Sequence, residues 1–214
     1  MNPPRPGRGA TLALAAAVLL GLGTSLYLRF VRVEGTAIDA ALADRLANAP
    51  NAPATGPVDA AVVLTVFTDY QCPACRRAHP AMLAAAHEAG DVRIVFRDFP
   101  VFGPVSQDAA RIALAGARQG LYAQLHDAFM TEPRKLTPAV MRQIVEREGG
   151  DWLRILASIK QGEPTEHLRE NQRDAMRLGV RGTPTYVIGR TRYLGALSEM
   201  QFARAIARAR DEGE

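Results

Sequence analysis

The stretch VVLTVFTDYQCPAC (residues 62–75) constrains this chain more than any other, because an apolar run breaks there directly into a closely spaced cysteine pair. Residues 60–67, AAVVLTVF, are rich in β-branched side chains and carry no charge, the pattern of a buried strand. From about Cys72 to Ala89 the composition turns helical, with Met82 and Leu83 among alanines and Gly90 to end the run. DVRIVFRDFP (91–100) sets Val92, Ile94 and Phe96 against Arg93, Val95 and Arg97, which predicts a second strand stopped by Pro100. Strand, helix and strand in that order predict a right-handed parallel unit.

The next segment lacks strand signals. Residues 106–130 read as one helix with Ile112, Leu114, Leu121 and Leu125 on its apolar faces. Thr137-Pro138 is an N-cap and first-turn pair that opens a second helix, closed by Gly149 and Gly150. A third runs over about 151–160 and a fourth over about 164–178. Sheet character returns in TPTYVIG (183–189) and RTRYLG (190–195), with Gly189-Arg190 as the turn of an antiparallel hairpin. Ser198 followed by Gln201 matches a capping box and opens the last helix. The order therefore predicts a small mixed α/β sheet interrupted by a helical insertion over about 104–178.

Ahead of this domain, residues 10–28 run without a charge, long enough to cross a bilayer as a helix. Arg5 and Arg8 precede the run, and Tyr27 and Arg29 stand where interfacial anchors belong. A cleaved signal peptide is the rival reading, but Arg29, Phe30, Val31 and Arg32 follow in place of a small-residue cleavage site. The expectation is a transmembrane signal-anchor over 10–30 after a flank of 1–9. An amphipathic helix with Ile38, Leu42 and Leu46 follows, and then a proline-rich spacer, PNAPATGPVD, the two together filling 31–57. The domain proper then spans 58–210, with 211–214 as a tail.

Cys72 and Cys75 are the only cysteines. A structural staple is a poor use for them, since a disulfide stabilises by closing a loop and this one closes almost nothing. A zinc site needs four ligands, and C-x-x-C supplies two. His79 offers a third, but no second pair exists, and His87, His126 and His167 read as isolated surface or capping residues. A redox couple fits better. Cys72 falls where a strand ends and a helix begins, and the unpaired N–H groups and helix dipole there stabilise a thiolate. Pro73 suits a first helical turn because it has no N–H to lose. The net charge of +4 and pI near 9.4 raise the question of nucleic acid, but the basic residues are scattered over helical stretches. They read as solvated helix faces, and no nucleic-acid partner is expected.

VVLTVFTDYQCPACRRAHP (62–80) resembles the active-site segment of the DsbA-like thiol–disulfide oxidoreductases of thioredoxin fold, in which a strand leads through F-x-D-[YF]-x-C-P-x-C into a helix. GVRGTPTYVIG (179–189) is similar to the stretch that carries that superfamily's cis-proline. The resemblance covers about 58–210. It implies a thioredoxin-like sheet with an inserted helical domain. It also implies that Cys72 and Cys75 are catalytic, and that Thr183 and Pro184 bind substrate backbone beside the disulfide. Pro73, Ala74, His79 and Asp69 are then modulators of the site. The best-known oxidases of the family carry a histidine where this chain has Ala74, so the thiolate is expected to be less stabilised and the oxidising power milder. His79 acts across one helical turn or is simply a solvated or capping residue, and Asp69 contacts the first turn or only forms the turn.

The implied function is a membrane-anchored oxidoreductase on the periplasmic side of a bacterial inner membrane, with no cofactor beyond the Cys72–Cys75 disulfide. Its substrates are exported proteins with thiols, and a membrane redox partner, expected to be quinone-linked, resets the pair. Isomerase or reductase activity, or a tethered thiolate metal-binding role, stays open as an alternative at this point.

Overall fold

The computed structural model describes residues 34–213 and, nearer the N-terminus, residue 14 and residues 16–23. Of the expected span over 10–30, residues 10–13, 15 and 24–30 lie outside the described residues. Residues 16–23 are helical. Among the described residues no helix is long and apolar enough to cross a membrane.

The sheet is built around β3 (Val62–Thr68) and β4 (Val92–Asp98), which run parallel in register from Val62↔Val92 to Thr68↔Asp98. Helix α2 (Pro73–Ala89) makes the crossover between them, capped at its C-terminus by Gly90 in the left-handed region. On the other side of β3 the hairpin β5 (Thr185–Ile188) and β6 (Thr191–Leu194) adds two antiparallel strands, turned at Gly189-Arg190. Two very short strands close the edges, β1 (Thr36–Ala37) on β6 and β2 (Ala54–Thr55) on β4. The order across the sheet is β1-β6-β5-β3-β4-β2.

The edge strands correct the expected spacer. Within it, residues 53–55 are tied into the sheet, with the Pro53 carbonyl accepting from Phe96 N at 2.8 Å and Ala54 and Thr55 paired with β4. Helix α1 (Ala40–Ala47), N-capped by the Asp39 carboxylate, seats Leu46 against Phe67, Val187, and Ala175 and Leu178 of the helical insertion. The compact unit therefore begins at Glu34, not near Val58. Proline and small residues marked this stretch as loose, yet two residues suffice to cap a sheet edge and protect its unpaired backbone groups.

The insertion holds five helices, not four: α3 (Pro104–Ala117), α4 (Tyr122–Thr131), α5 (Pro138–Arg147), α6 (Trp152–Gln161) and α7 (Glu163–Leu178). The stretch expected as one helix over 106–130 breaks because Gly120 takes φ 71° and Leu121 N turns back to the Gly116 carbonyl at 3.0 Å. Gly116 lets the two helices close up, since a Cβ there would stand 2.4 Å from Leu125 Cδ1. Helix α8 (Glu199–Asp211) opens with the Ser198–Gln201 capping box and packs beside α2 on one face of the sheet. On the opposite face lie α1 and α7.

Candidate active site

Cys72 is the N-cap of α2, in extended backbone, and its thiol sulfur accepts from Cys75 N at 3.4 Å. The same thiol donates to the Thr183 carbonyl at 3.3 Å. Pro73 fills the first helical position and is exposed, Ala74 is half-buried, and both cysteines are free thiols, each 2% exposed. The Thr183–Pro184 peptide is cis, and the Thr183 carbonyl lies against the N-terminus of α2 although the two stretches are 111 residues apart. Pro184 is buried and its carbonyl is taken by Gly195 N at 2.9 Å. The structure thus brings Cys72, Cys75, Thr183 and Pro184 to one point.

The two sulfurs sit in different settings. Burial pushes the Cys75 thiol up to about 12, against opposing hydrogen-bonding influences from the Thr68 side chain and the Asp69 backbone. Cys75 is therefore a thiol across the neutral range, and its sulfur becomes a nucleophile only when something takes the proton. Tyr186, buried below the pair, is pushed up by burial and by the neighbouring sulfurs of Cys75 and Cys72.

Asp69 is a hub. Its carboxylate accepts from Gln71 N at 2.7 Å, forming the turn that leads to Cys72. It also accepts from Val101 N at 2.6 Å, Phe102 N at 3.0 Å and Ser106 Oγ at 2.7 Å. One buried acid thereby fixes the loop after β4 and the start of α3 beside the cysteine turn. On that loop Val101 and Phe102 remain half exposed, at 48% and 53%.

His79 departs from the solvated or capping alternative. It is 4% exposed, and Nε2 pairs with Asp127 Oδ1 of α4 at 2.9 Å. Burial holds it below its ordinary value, and Asp127 pulls partway back. His126, expected at the surface, is 1% exposed in a ring cluster with Tyr70, Phe96, Tyr122 and His79. Its Nδ1 bonds the Tyr70 hydroxyl at 2.9 Å, and burial followed by the His79 charge pushes it well down. A lone histidine between helical residues gives no sign in sequence of which way its ring points. Thr68, Asp98 and Tyr122 were likewise invisible as site neighbours, although Asp98 ends β4 directly beside Thr68. Among the described residues no group of three or more His, Cys, Asp or Glu is placed to hold a metal.

The sequence model of the DSBA-like thioredoxin domain matches residues 63–207. The chain belongs to that family. Its DSBA-like domain is a thiol–disulfide oxidoreductase domain, and the thioredoxin-like mixed sheet with its helical insertion is the family's fold. It is 34% identical to a thioredoxin-like oxidoreductase from Silicibacter pomeroyi DSS-3, with a TM-score of 0.75 over 78% of this chain and 97% of that one. The catalytic domain of Proteus mirabilis ScsC is 26% identical, with a TM-score of 0.74 over 80% of this chain and 96% of that one. Among curated relatives, Na(+)/H(+) antiporter NhaA 3 of Salinispora tropica is 31% identical over 166 residues, 74% of this chain and 26% of that protein. The chain spans about a quarter of the length of the curated relatives it matches.

Proposed function

We propose that this DSBA-like protein is a membrane-anchored thiol–disulfide oxidoreductase of a bacterial envelope. In this reading one N-terminal span holds it in the inner membrane and the redox domain works on the periplasmic side. It exchanges the Cys72–Cys75 disulfide with thiols of exported proteins and uses no other cofactor. The observation that carries the reading is the Cys72 thiol at the N-terminus of α2, set between the Cys75 amide and the Thr183 carbonyl. In the oxidase direction a substrate thiolate attacks Cys72 Sγ of the disulfide and Cys75 leaves. A second substrate thiolate then attacks its own sulfur in the mixed disulfide, which leaves Cys72 and Cys75 reduced. Thr183 and Pro184 flank the sulfur that the substrate peptide must reach, and the Val101-Phe102 ledge pinned by Asp69 gives an apolar surface beside it. A membrane redox partner reoxidises the pair. Similarity to chains named as antiporters supports a membrane setting.

Reductase or isomerase activity is favoured by one observation, Ala74 in place of a charged residue between the cysteines. The reduction potential of the pair in the full-length protein separates these readings. A value near about −120 mV supports disulfide donation, and one near about −270 mV makes the protein a reductase. Cys72→Ser is expected to abolish exchange. Cys75→Ser is expected to accumulate mixed disulfides with substrate, and a Cys75→Ser variant that forms no adducts sinks the assigned roles.

A further inference from the structure

One loop of the helical insertion reaches the cysteine turn without a part in the exchange as written. Residues 132–137, EPRKLT, join α4 to α5. The Arg76 guanidinium ties this loop to α2 by donating to the Glu132 carbonyl. The Arg76 amide in turn donates to the Cys72 carbonyl at 3.1 Å, so Arg76 spans one helical turn between the reactive cysteine and the loop. Inside the loop the buried Glu132 carboxylate accepts from Arg134 N at 3.0 Å, Nε at 2.7 Å and Nη2 at 3.0 Å. The loop is thereby folded around one neutralised pair.

Three further cations have no carboxylate to themselves. The Arg76 guanidinium meets a carbonyl, which leaves its charge in place. Arg77 and Lys135 are exposed, and among the described residues their side chains have no ion-pair or hydrogen-bond partner. The acids of the adjoining stretches are engaged elsewhere. Asp69 is buried against Gln71 N, Val101 N, Phe102 N and Ser106 Oγ, Glu132 holds Arg134, and Asp127 of α4 holds His79. The Val101-Phe102 ledge, tied to the same turn through Asp69, carries no charge. The mouth of the site is therefore cationic along α2 and the loop, and apolar along the ledge.

We infer that Arg76, Arg77 and Lys135 form a docking rim for acidic polypeptide, and that the preferred substrates carry Asp or Glu beside the reacting cysteine. The inference rests on the exchange reading above and names the substrate class for it. A carboxylate beside a cysteine repels the thiolate, raises that thiol's pKa and leaves less of the nucleophile at neutral pH. Cations at the mouth of the site act against this. They attract the acidic segment, and they favour its thiolate as it meets Cys72 Sγ.

The test uses the oxidised full-length protein and three peptides that differ only in the residues flanking a single cysteine: Glu, Gln or Lys on both sides. Loss of the Cys72–Cys75 disulfide is followed by acid quenching and thiol alkylation. Each rate is divided by that peptide's rate with the uncharged disulfide 4,4′-dithiodipyridine, which removes the peptide's own thiolate fraction. In the parent protein at low salt the Glu peptide is expected to exceed the Gln peptide about tenfold, with the Lys peptide slowest. Both differences are expected to close as salt rises. In the double variant Arg77→Glu with Lys135→Glu the order is expected to reverse. The ratio between peptides is the readout, because a change in the reactivity of Cys72 itself enters all three rates alike. Arg154→Glu with Lys160→Glu changes the net charge equally on α6, which packs against α3 and α7, and is expected to move the ratio by less than about twofold. Lys135→Gln in the exposed loop is expected to lower the Glu-to-Gln ratio about two- to threefold, and keeps the inference testable if the first double variant does not fold. Equal normalised rates for the three peptides in the parent protein, the result if the rim meets lipid headgroups instead, overturn the inference. An equal shift from the two double variants also overturns it. A parent protein whose disulfide none of the peptides opens would instead overturn the exchange reading at Cys72.

Discussion

Two buried carboxylates, one on each face of the same sheet, have been given opposite settings. Asp174 of α7, 3% exposed, is surrounded by cations: Arg97 of β4 pairs with its Oδ2, and Arg45 of α1 and Arg177 reach Oδ1 at 2.9 and 3.1 Å. Burial tends to raise it, but the Arg45 hydrogen bond and the Arg97 charge outweigh that and hold it below the ordinary carboxylate range. Asp98, one residue beyond Arg97 and on the other face, has tyrosines where Asp174 has arginines, and burial wins. The Asp174 cluster clamps α1, α7 and β4 together. Neighbouring positions on one strand thus meet arginine partners on one face and tyrosine hydroxyls on the other, because a strand alternates its side chains between faces.

The largest effect in this comparison is expected from breaking the lock. Asp174→Ala leaves Arg97 buried without its counter-charge, so urea unfolding at neutral pH is expected to show a loss of about 3–5 kcal/mol. The double variant Arg97→Met with Asp174→Leu is expected to lose far less, since no buried charge is then left alone. Leu46→Ala asks whether the same face is held by packing as well. The side chain is fully buried against Phe67, Ala175, Leu178 and Val187, and its truncation is expected to lose about 2–5 kcal/mol.

The pH dependence of stability separates the two acids by sign. The folded-state value of Asp98 is raised, so the folded protein binds that proton more tightly than the unfolded chain does. Its contribution is present below the unfolded value and is lost as pH rises towards about 7, which amounts to a few kcal/mol at most. Asp98→Asn is expected to flatten this limb in unfolding measured across that window. Asp174 has the depressed value, so its contribution is present above the unfolded value and is lost as pH falls through the folded one. Acid unfolding is expected to report it. The smallest effect belongs to Asp127→Asn at the exposed end of the histidine cluster. Stability is expected to change by less than about 1 kcal/mol. The His79 titration, followed by NMR, is expected to move further down without the Asp127 charge.

Much of the architecture was legible because it rests on local chemistry. The β-branched runs of β3 and β4, the Thr137-Pro138 start of α5 and the Ser198–Gln201 box of α8 all formed where their residues point. The cysteine pair at a strand–helix junction was legible for the same reason, whereas Thr183 and Pro184 were marked as site residues only by the family resemblance. The break at Gly120 was not, since apolar residues at helical spacing run through 106–130 while the left-handed Gly120 and the return of Leu121 N to the Gly116 carbonyl end the helix. Nor were the edge pairing at Ala54–Thr55, the inward turn of His79 and His126, or the partnership of Asp98 with Thr68.

From the sequence alone come the elements, their order and the reactive pair, because capping, turn chemistry and strand or helix periodicity act over a few residues. Only the tertiary structure decided which acid meets arginines and which meets tyrosines beneath Cys75. For Asp174 the distant arginines come from α1 and β4, and for Asp98 the tyrosine at 2.9 Å comes from α4. The difference between them is one of burial and neighbouring charge, which no local pattern encodes.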